Sequence, residues 1–220
     1  MDGLINSGFK LGLAAGAVGA LLIPKLINRS TRKKAVTIPC PVVNNFADIE
    51  KKENCLYILD IDETMLTFKG MGTGWWKKMF NKNLRETNDV EYSGSLTIKQ
   101  FIQAITSEFP TGTDVEGFWE LHRWCEQSNG KVIFLTARPE KIREITENQL
   151  KSVYEGLNPE VHFASDKGTK LKELSKDWEN IVFVDDKIHN LTDVKALNPE
   201  VSCYQFEPKK YLTPLTHSKR

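Results

Sequence analysis

Short, almost wholly apolar runs alternate along this chain with stretches whose apolar positions recur every three or four residues. The runs are Cys55–Leu59, Val132–Leu135, Val161–Phe163, Ile181–Val184 and Val201–Phe206. Between the later ones lie Glu140–Val153, with Pro139 at its start, Gly168–Leu174 and Leu191–Leu197. Apolar runs this short read as strands buried on both faces, and the intervening stretches read as helices. Their alternation predicts an α/β fold, a mostly parallel sheet covered by helices on both faces. The pattern shows no internal repeat.

One interval breaks the rhythm. Roughly 65 residues separate the first two strands, far more than a crossover needs. The stretch holds a glycine-rich piece at Lys69–Gly74, then Trp75, Trp76 and Phe80. Helical patterns follow at Thr97–Thr106 and Val115–Gln127, the second carrying Phe118, Trp119, Leu121 and Trp124. Residues 69–129 therefore read as a small, mainly helical inserted module with its own aromatic core. Trp75 and Trp76 stand apart, because adjacent residues do not face one core in regular structure and glycines flank them.

The ends of the chain differ from its middle. Leu11–Ile23 is wholly apolar or small, and Pro24–Ile27 extends it with a single charge. Against the roughly 20 apolar residues of a membrane span, residues 11–27 are a marginal anchor. Arg29, Arg32, Lys33 and Lys34 follow, a basic flank that predicts membrane association with the folded domain on the cytoplasmic side. The alternatives are an exported chain, or a soluble one whose apolar helix packs on its own domain or on a partner. Ala35–Asn45 carries two prolines and no helical period, so it reads as an extended linker, with a short helix in Phe46–Lys52.

The formal charge of +1 gives no support for a nucleic-acid partner. Four scattered cysteines without CxxC spacing suggest neither a disulfide framework nor a thiolate metal site. Cys55 and Cys125 sit in apolar runs and read as small core residues.

The chemistry lies at the strand ends. Leu56–Leu59 leads into Asp60-Ile61-Asp62-Glu63-Thr64, so an apolar strand delivers two carboxylates to one side. Crowded carboxylates repel unless a cation or a shared proton separates them, and an oxygen-only cluster suits Mg²⁺. Asp residues that merely cap a turn are the simpler account of that pair alone. Three further strand ends change the balance. The second strand ends in Thr136-Ala137-Arg138, a hydroxyl and backbone N–H groups at a strand-to-helix turn. The third is followed by Ser165-Asp166-Lys167-Gly168, which puts an ammonium where a helix start disfavours one. The fourth ends in Asp185-Asp186, with Asn190 beyond.

In this order the four motifs resemble those of the haloacid dehalogenase-like superfamily of aspartate-nucleophile phosphatases, over roughly residues 54–206. Met65 departs slightly, since an aliphatic residue more often follows the threonine. The resemblance implies a Rossmann-like core at 54–68 and 130–210 with a cap at 69–129; the rest of the chain divides into an anchor and basic flank at 1–35, a linker and lead-in at 36–53, and a tail at 211–220.

It also implies roles. Asp60 would be the nucleophile, giving an aspartyl-phosphate, and Asp62 the general acid and base. Thr136 and Lys167 would hold the phosphoryl oxygens. Mg²⁺ would bind Asp60, the main-chain carbonyl of Asp62, Asp186, and Asp185 directly or through a neighbour. Thr64, Ala137, Arg138, Trp75 and Trp76 form the expected substrate-binding set, with Thr64 also bracing the turn. His189 reads as a surface residue. The implied activity is a Mg²⁺-dependent phosphomonoesterase. The alternatives are transfer to another acceptor or a non-catalytic phosphate-binding domain. A small phosphometabolite, a nucleotide and a phosphoprotein all remain open as substrate, and the oligomeric state is unread.

Overall fold

The computed structural model describes residues 39–72 and 74–208. The anchor expected at 1–35, the first residues of the expected linker and the expected tail at 211–220 lie outside the described residues. Among the described residues there are eight strands: β1 (Val42–Val43), β2 (Cys55–Leu59), β3 (Leu66–Thr67), β4 (Thr111–Gly112), β5 (Lys131–Thr136), β6 (Val161–Phe163), β7 (Asn180–Asp185) and β8 (Ser202–Phe206). Six helices accompany them: α1 (Trp75–Thr87), α2 (Val90–Ser107), α3 (Val115–Gln127), α4 (Arg143–Val153), α5 (Lys167–Leu174) and α6 (Ile188–Leu197).

Six strands form one parallel sheet in the order β1-β8-β7-β2-β5-β6. Alternation along the strands builds two apolar layers. Tyr57, Leu59, Phe134, Val182 and Val184 face one side, with Phe118 from α3 and Leu150 from α4. Leu56, Ile58, Ile133, Leu135, Ile181 and Phe183 face the other, with Leu171 from α5 and Leu191 and Val194 from α6. The sheet covered on both faces is as the pattern predicts. Cys55 and Cys125 are buried, as expected of small core residues.

Three details differ from the expectation. Val42–Val43, within the expected linker, pairs with Gln205–Phe206 as an edge strand. Phe46, in a 3₁₀ turn at Phe46–Asp48, stacks on Phe206 with ring centroids 4.6 Å apart. The third concerns α3, read as part of the inserted module. Its Phe118 meets Phe46 (6.3 Å), Phe134 (6.2 Å) and Tyr154 (4.7 Å), which makes α3 the crossover helix lying on the sheet. A helical period reveals an apolar face but not what will cover it.

The segment apart from the sheet is 68–110, which contains α1 and α2. It begins and ends at the antiparallel pair β3–β4, where Leu66 faces Gly112 and Thr67 faces Thr111. Asp89 caps α2 by accepting from Tyr92 N–H at 2.9 Å. Asn83 on α1 donates to Thr97 Oγ1 (2.9 Å) and to Gln100 Oε1 (2.8 Å) on α2, joining the two helices.

Candidate active site

From β2 the chain runs outward to β5 and β6, then returns to the other side of β2 as β7 and β8. The strand ends of β2 and β7 thus flank the point where the order reverses, the place where open parallel sheets leave a crevice. Asp60 follows β2 and donates its N–H to Val184 O at 2.9 Å. Asp185 closes β7 and Asp186 follows it, Thr136 closes β5, and Lys167 opens α5 after β6.

The turn after β2 is built by the backbone. Ile61 O accepts from the N–H groups of Met65 (2.9 Å) and Leu66 (2.8 Å), while Glu63 N–H donates to Leu66 O at 2.8 Å. Glu63 takes a left-handed φ of 65° to close it. Thr64 is buried, its hydroxyl accepts from Asp186 N–H at 3.1 Å, and Thr113 Oγ1 donates to its carbonyl. Thr64 therefore ties the β2 turn to the β7 turn. It does not line the cavity described below, unlike the rest of the expected substrate-binding set.

Lys167 is the hub of the charges. Its ammonium donates to Asp60 Oδ1 and to Asp185 Oδ2, the latter at 2.7 Å, and all three residues are buried. Burial works against the ammonium, yet Asp185 and Asp60 overcome it and raise its pKa. Asp185 also accepts from Lys187 N–H at 2.8 Å and from Asn190 Nδ2 at 3.0 and 2.9 Å. Lys187 Nζ lies 3.2 Å from Asp186 Oδ1.

Burial pushes Asp60 up to about 7, with Lys167 opposing and Asp185 adding to the rise. Burial likewise lifts Asp186 to about 6, offset by Lys187. Asp60, Asp185 and Asp186 offer one carboxylate oxygen each within 4.8 Å of one another. An acceptor-only, over-crowded set of this kind fits a hard divalent cation such as Mg²⁺. The Asp62 carboxylate is not part of this group.

Asp62 instead meets Arg138, which is 3% exposed. Arg138 Nε donates to Asp62 Oδ2 at 3.0 Å and a terminal nitrogen to Oδ1 at 2.7 Å, a two-pronged ion pair. Its other terminal nitrogen reaches Thr146 Oγ1 (3.1 Å) and Gln149 Oε1 (2.8 Å). Gln149 in turn donates to Ile105 O at 2.5 Å, at the end of α2. Burial would raise the Asp62 carboxyl, but the Arg138 charge and hydrogen bonds outweigh it and hold the pKa below the ordinary value. Arg138, expected to touch substrate, thus commits its guanidinium to Asp62. Thr136 is buried, accepts from Arg138 N–H at 3.1 Å and shapes that turn without lining the cavity.

Above these groups lies a cavity of about 290 Å³. Asp60, Asp62, Lys167 and Asp186 line one side, and Phe68, Met71, Trp75, Trp76, Ile98 and Phe101 line the other. Both tryptophans approach Phe101, with centroids 6.1 and 5.5 Å away, so the two neighbours do share one cluster. In the first turn of a helix they flank a single ring. Glu63, Lys187, His189 and Asn190 also line the cavity. His189 is exposed, as its reading as a surface residue expects, and for Lys187 and Asn190 the available signal was nearness to the Asp185-Asp186 pair.

No curated protein matches the chain. Solved structures that match include one from Burkholderia xenovorans LB400, provisionally named a haloacid dehalogenase-like hydrolase. Identity is 13%, the match covers 69% of this chain and 81% of that one, and the TM-score is 0.35, too low to carry an argument. Residues 41–167 match the model of a family described as "Protein of unknown function (DUF2608)".

Proposed function

The chain belongs to the DUF2608 family, and we propose that it is a hydrolase of the haloacid dehalogenase-like kind, a Mg²⁺-dependent phosphomonoesterase with Asp60 as nucleophile. One observation carries the reading. Asp60 is buried at the reversal point of the sheet, bonded to Lys167, grouped with Asp185 and Asp186, and open to a cavity.

In the first step an Asp60 carboxylate oxygen bonds to phosphorus and the ester P–O bond breaks. The departing alcohol oxygen takes the electron pair and a proton from Asp62. In the second step water attacks the aspartyl-phosphate, Asp62 takes back a proton, and inorganic phosphate leaves with Asp60 restored. Lys167 and the turn at Ala137 hold the phosphoryl oxygens, while Thr136 acts through that turn. Arg138 orients Asp62, which must free one oxygen from the guanidinium to reach the leaving group. Bound at Asp60, the Asp62 carbonyl, Asp185 and Asp186, Mg²⁺ would supply charge neutralisation for the transferring group.

We assign residues 11–27 to membrane association, leaving the catalytic domain cytoplasmic. The partner is then a phosphorylated small molecule or a phosphoprotein.

The test is p-nitrophenyl phosphate hydrolysis with Mg²⁺ or EDTA, alongside Asp60→Asn. Turnover lost on both chelation and substitution is expected. Turnover that survives Asp60→Asn would sink the mechanism.

A further inference from the structure

We propose that the natural substrate is an aryl phosphomonoester, an inference that rests on the phosphatase reading above. The cavity is two-sided. Its charged groups all come from the strand ends of the sheet, whereas segment 68–110 contributes Phe68, Met71, Trp75, Trp76, Ile98 and Phe101, plus two glycines. Among its described residues, that segment offers the cavity no carboxylate, no hydroxyl and no amide side chain.

A sugar or polyol phosphate would bring hydroxyls against this wall, and each unpaired hydroxyl costs its desolvation. A planar apolar group would gain area and ring contacts there instead. Phe68 is itself held beside the charged side, with the Arg138 guanidinium 5.8 Å from its ring centroid.

Size agrees. A closed apolar cavity of about 150 Å³ holds a benzene molecule, so about 290 Å³ takes one ring with its phosphoryl group. The arrangement of Asp62 agrees as well, since both its oxygens are engaged by Arg138. When the P–O bond breaks, an aryl oxygen keeps the electron pair easily, because a phenol has a pKa of about 10 against about 15.7 for water. The proton then comes from Asp62 or solvent with little assistance required.

The experiment uses the full chain with Mg²⁺. Benzylphosphonate and methylphosphonate are titrated as non-hydrolysable probes. Phosphate release is followed from phenyl phosphate, ethyl phosphate, free phosphotyrosine and a phosphotyrosyl peptide. Benzylphosphonate should bind roughly tenfold to a hundredfold more tightly than methylphosphonate. That ratio should shrink in Trp76→Leu and in Phe101→Ala, two variants made so that one misfolded protein does not decide the matter. Free and peptide-borne phosphotyrosine turned over alike would place the aryl group on a protein, while turnover of the free form alone would place it on a small ester. Equal affinity for the two phosphonates in an enzyme that hydrolyses ethyl phosphate overturns the aryl class and leaves the phosphatase reading standing. A benzylphosphonate preference with no ester hydrolysed upholds the pocket's ligand class and overturns the phosphatase reading. Absence of both binding and turnover overturns both.

Discussion

Lys167 bonds two buried carboxylates at once, so its loss would leave Asp60 without its ion-pair partner and Asp185 with only the Lys187 N–H and Asn190 hydrogen bonds. Removing one partner of a buried ion pair costs about 3–5 kcal/mol. Lys167→Met should lower the denaturant midpoint accordingly and cut turnover at least a hundredfold, in the range of a lost oxyanion donor. An active, fully stable Lys167→Met would show the lysine to be incidental. The carboxylates also set a pH dependence. Without metal, Asp60 and Asp186 titrate near 7 and 6, against an ordinary 3.8. Between those values the folded chain binds more protons than the unfolded one, so metal-free stability falls as pH rises from about 4 to 7. Asp62, held below its ordinary value, subtracts stability only at still lower pH. EDTA-treated protein should melt higher at pH 5 than at pH 7.5, and Mg²⁺ should raise the midpoint by several degrees at pH 7.5 and little at pH 5. Identical behaviour at both pH values would mean that the cluster is not crowded. The two-residue spacing made Asp60 and Asp62 legible as a pair. Nothing in spacing could say that Asp62 turns toward Arg138, 76 positions away, because a charge pairs with whatever the fold brings near.

Elements were legible where burial wrote a pattern and less so where it did not. The strand Cys55–Leu59 and the helix Val115–Gln127 stand at the positions their periodicity predicts. Helix α1 gave little signal, since among its residues only Asn83 is buried and lysines and asparagines fill much of its length. Gly168, in the first turn of α5, exemplifies an element placed by a close approach. A Cβ there would lie 2.8 Å from Leu197 Cδ1 and 3.2 Å from Asp193 O on α6. Leu197 can swing aside but the carbonyl cannot, so Gly168→Ala should push α5 away from α6. An overpacking cost of about 1–3 kcal/mol is expected, together with reduced kcat/KM because Lys167 moves with the helix. Thermal unfolding and p-nitrophenyl phosphate kinetics measure both. Unchanged kinetics with a lowered midpoint would separate the packing from the site.

The sheet order is what gathers four sequence-distant strand ends into one place; the apolar runs made a parallel sheet legible, but not the order of its strands. The β1 edge was not legible, because a strand of two residues has no periodicity to read, whereas β6 at the other edge stands at the expected Val161–Phe163. Deleting residues 1–35 keeps Val42–Val43 and Phe46, so the shortened chain should remain folded and active, and should lose the membrane association proposed for residues 11–27. Sedimentation with lipid vesicles checks this, and an insoluble or inactive product would assign the segment to the core. Deleting residues 1–48 removes Phe46 from its stack on Phe206 and should cost about 3–5 kcal/mol more. Segment 68–110 presents the opposite case. Its two ends sit side by side at β3 and β4, and the Gln149 hydrogen bond meets it at a main-chain carbonyl, which any helix at that place would offer. The apolar wall is therefore one contiguous stretch to exchange, provided the replacements for Phe68, Met71, Phe101 and Ile105 keep the volume those residues give to the apolar cluster they share with the sheet. A lineage or an engineer could rewrite what the cavity accepts by replacing that stretch, leaving the charged groups at the strand ends in place.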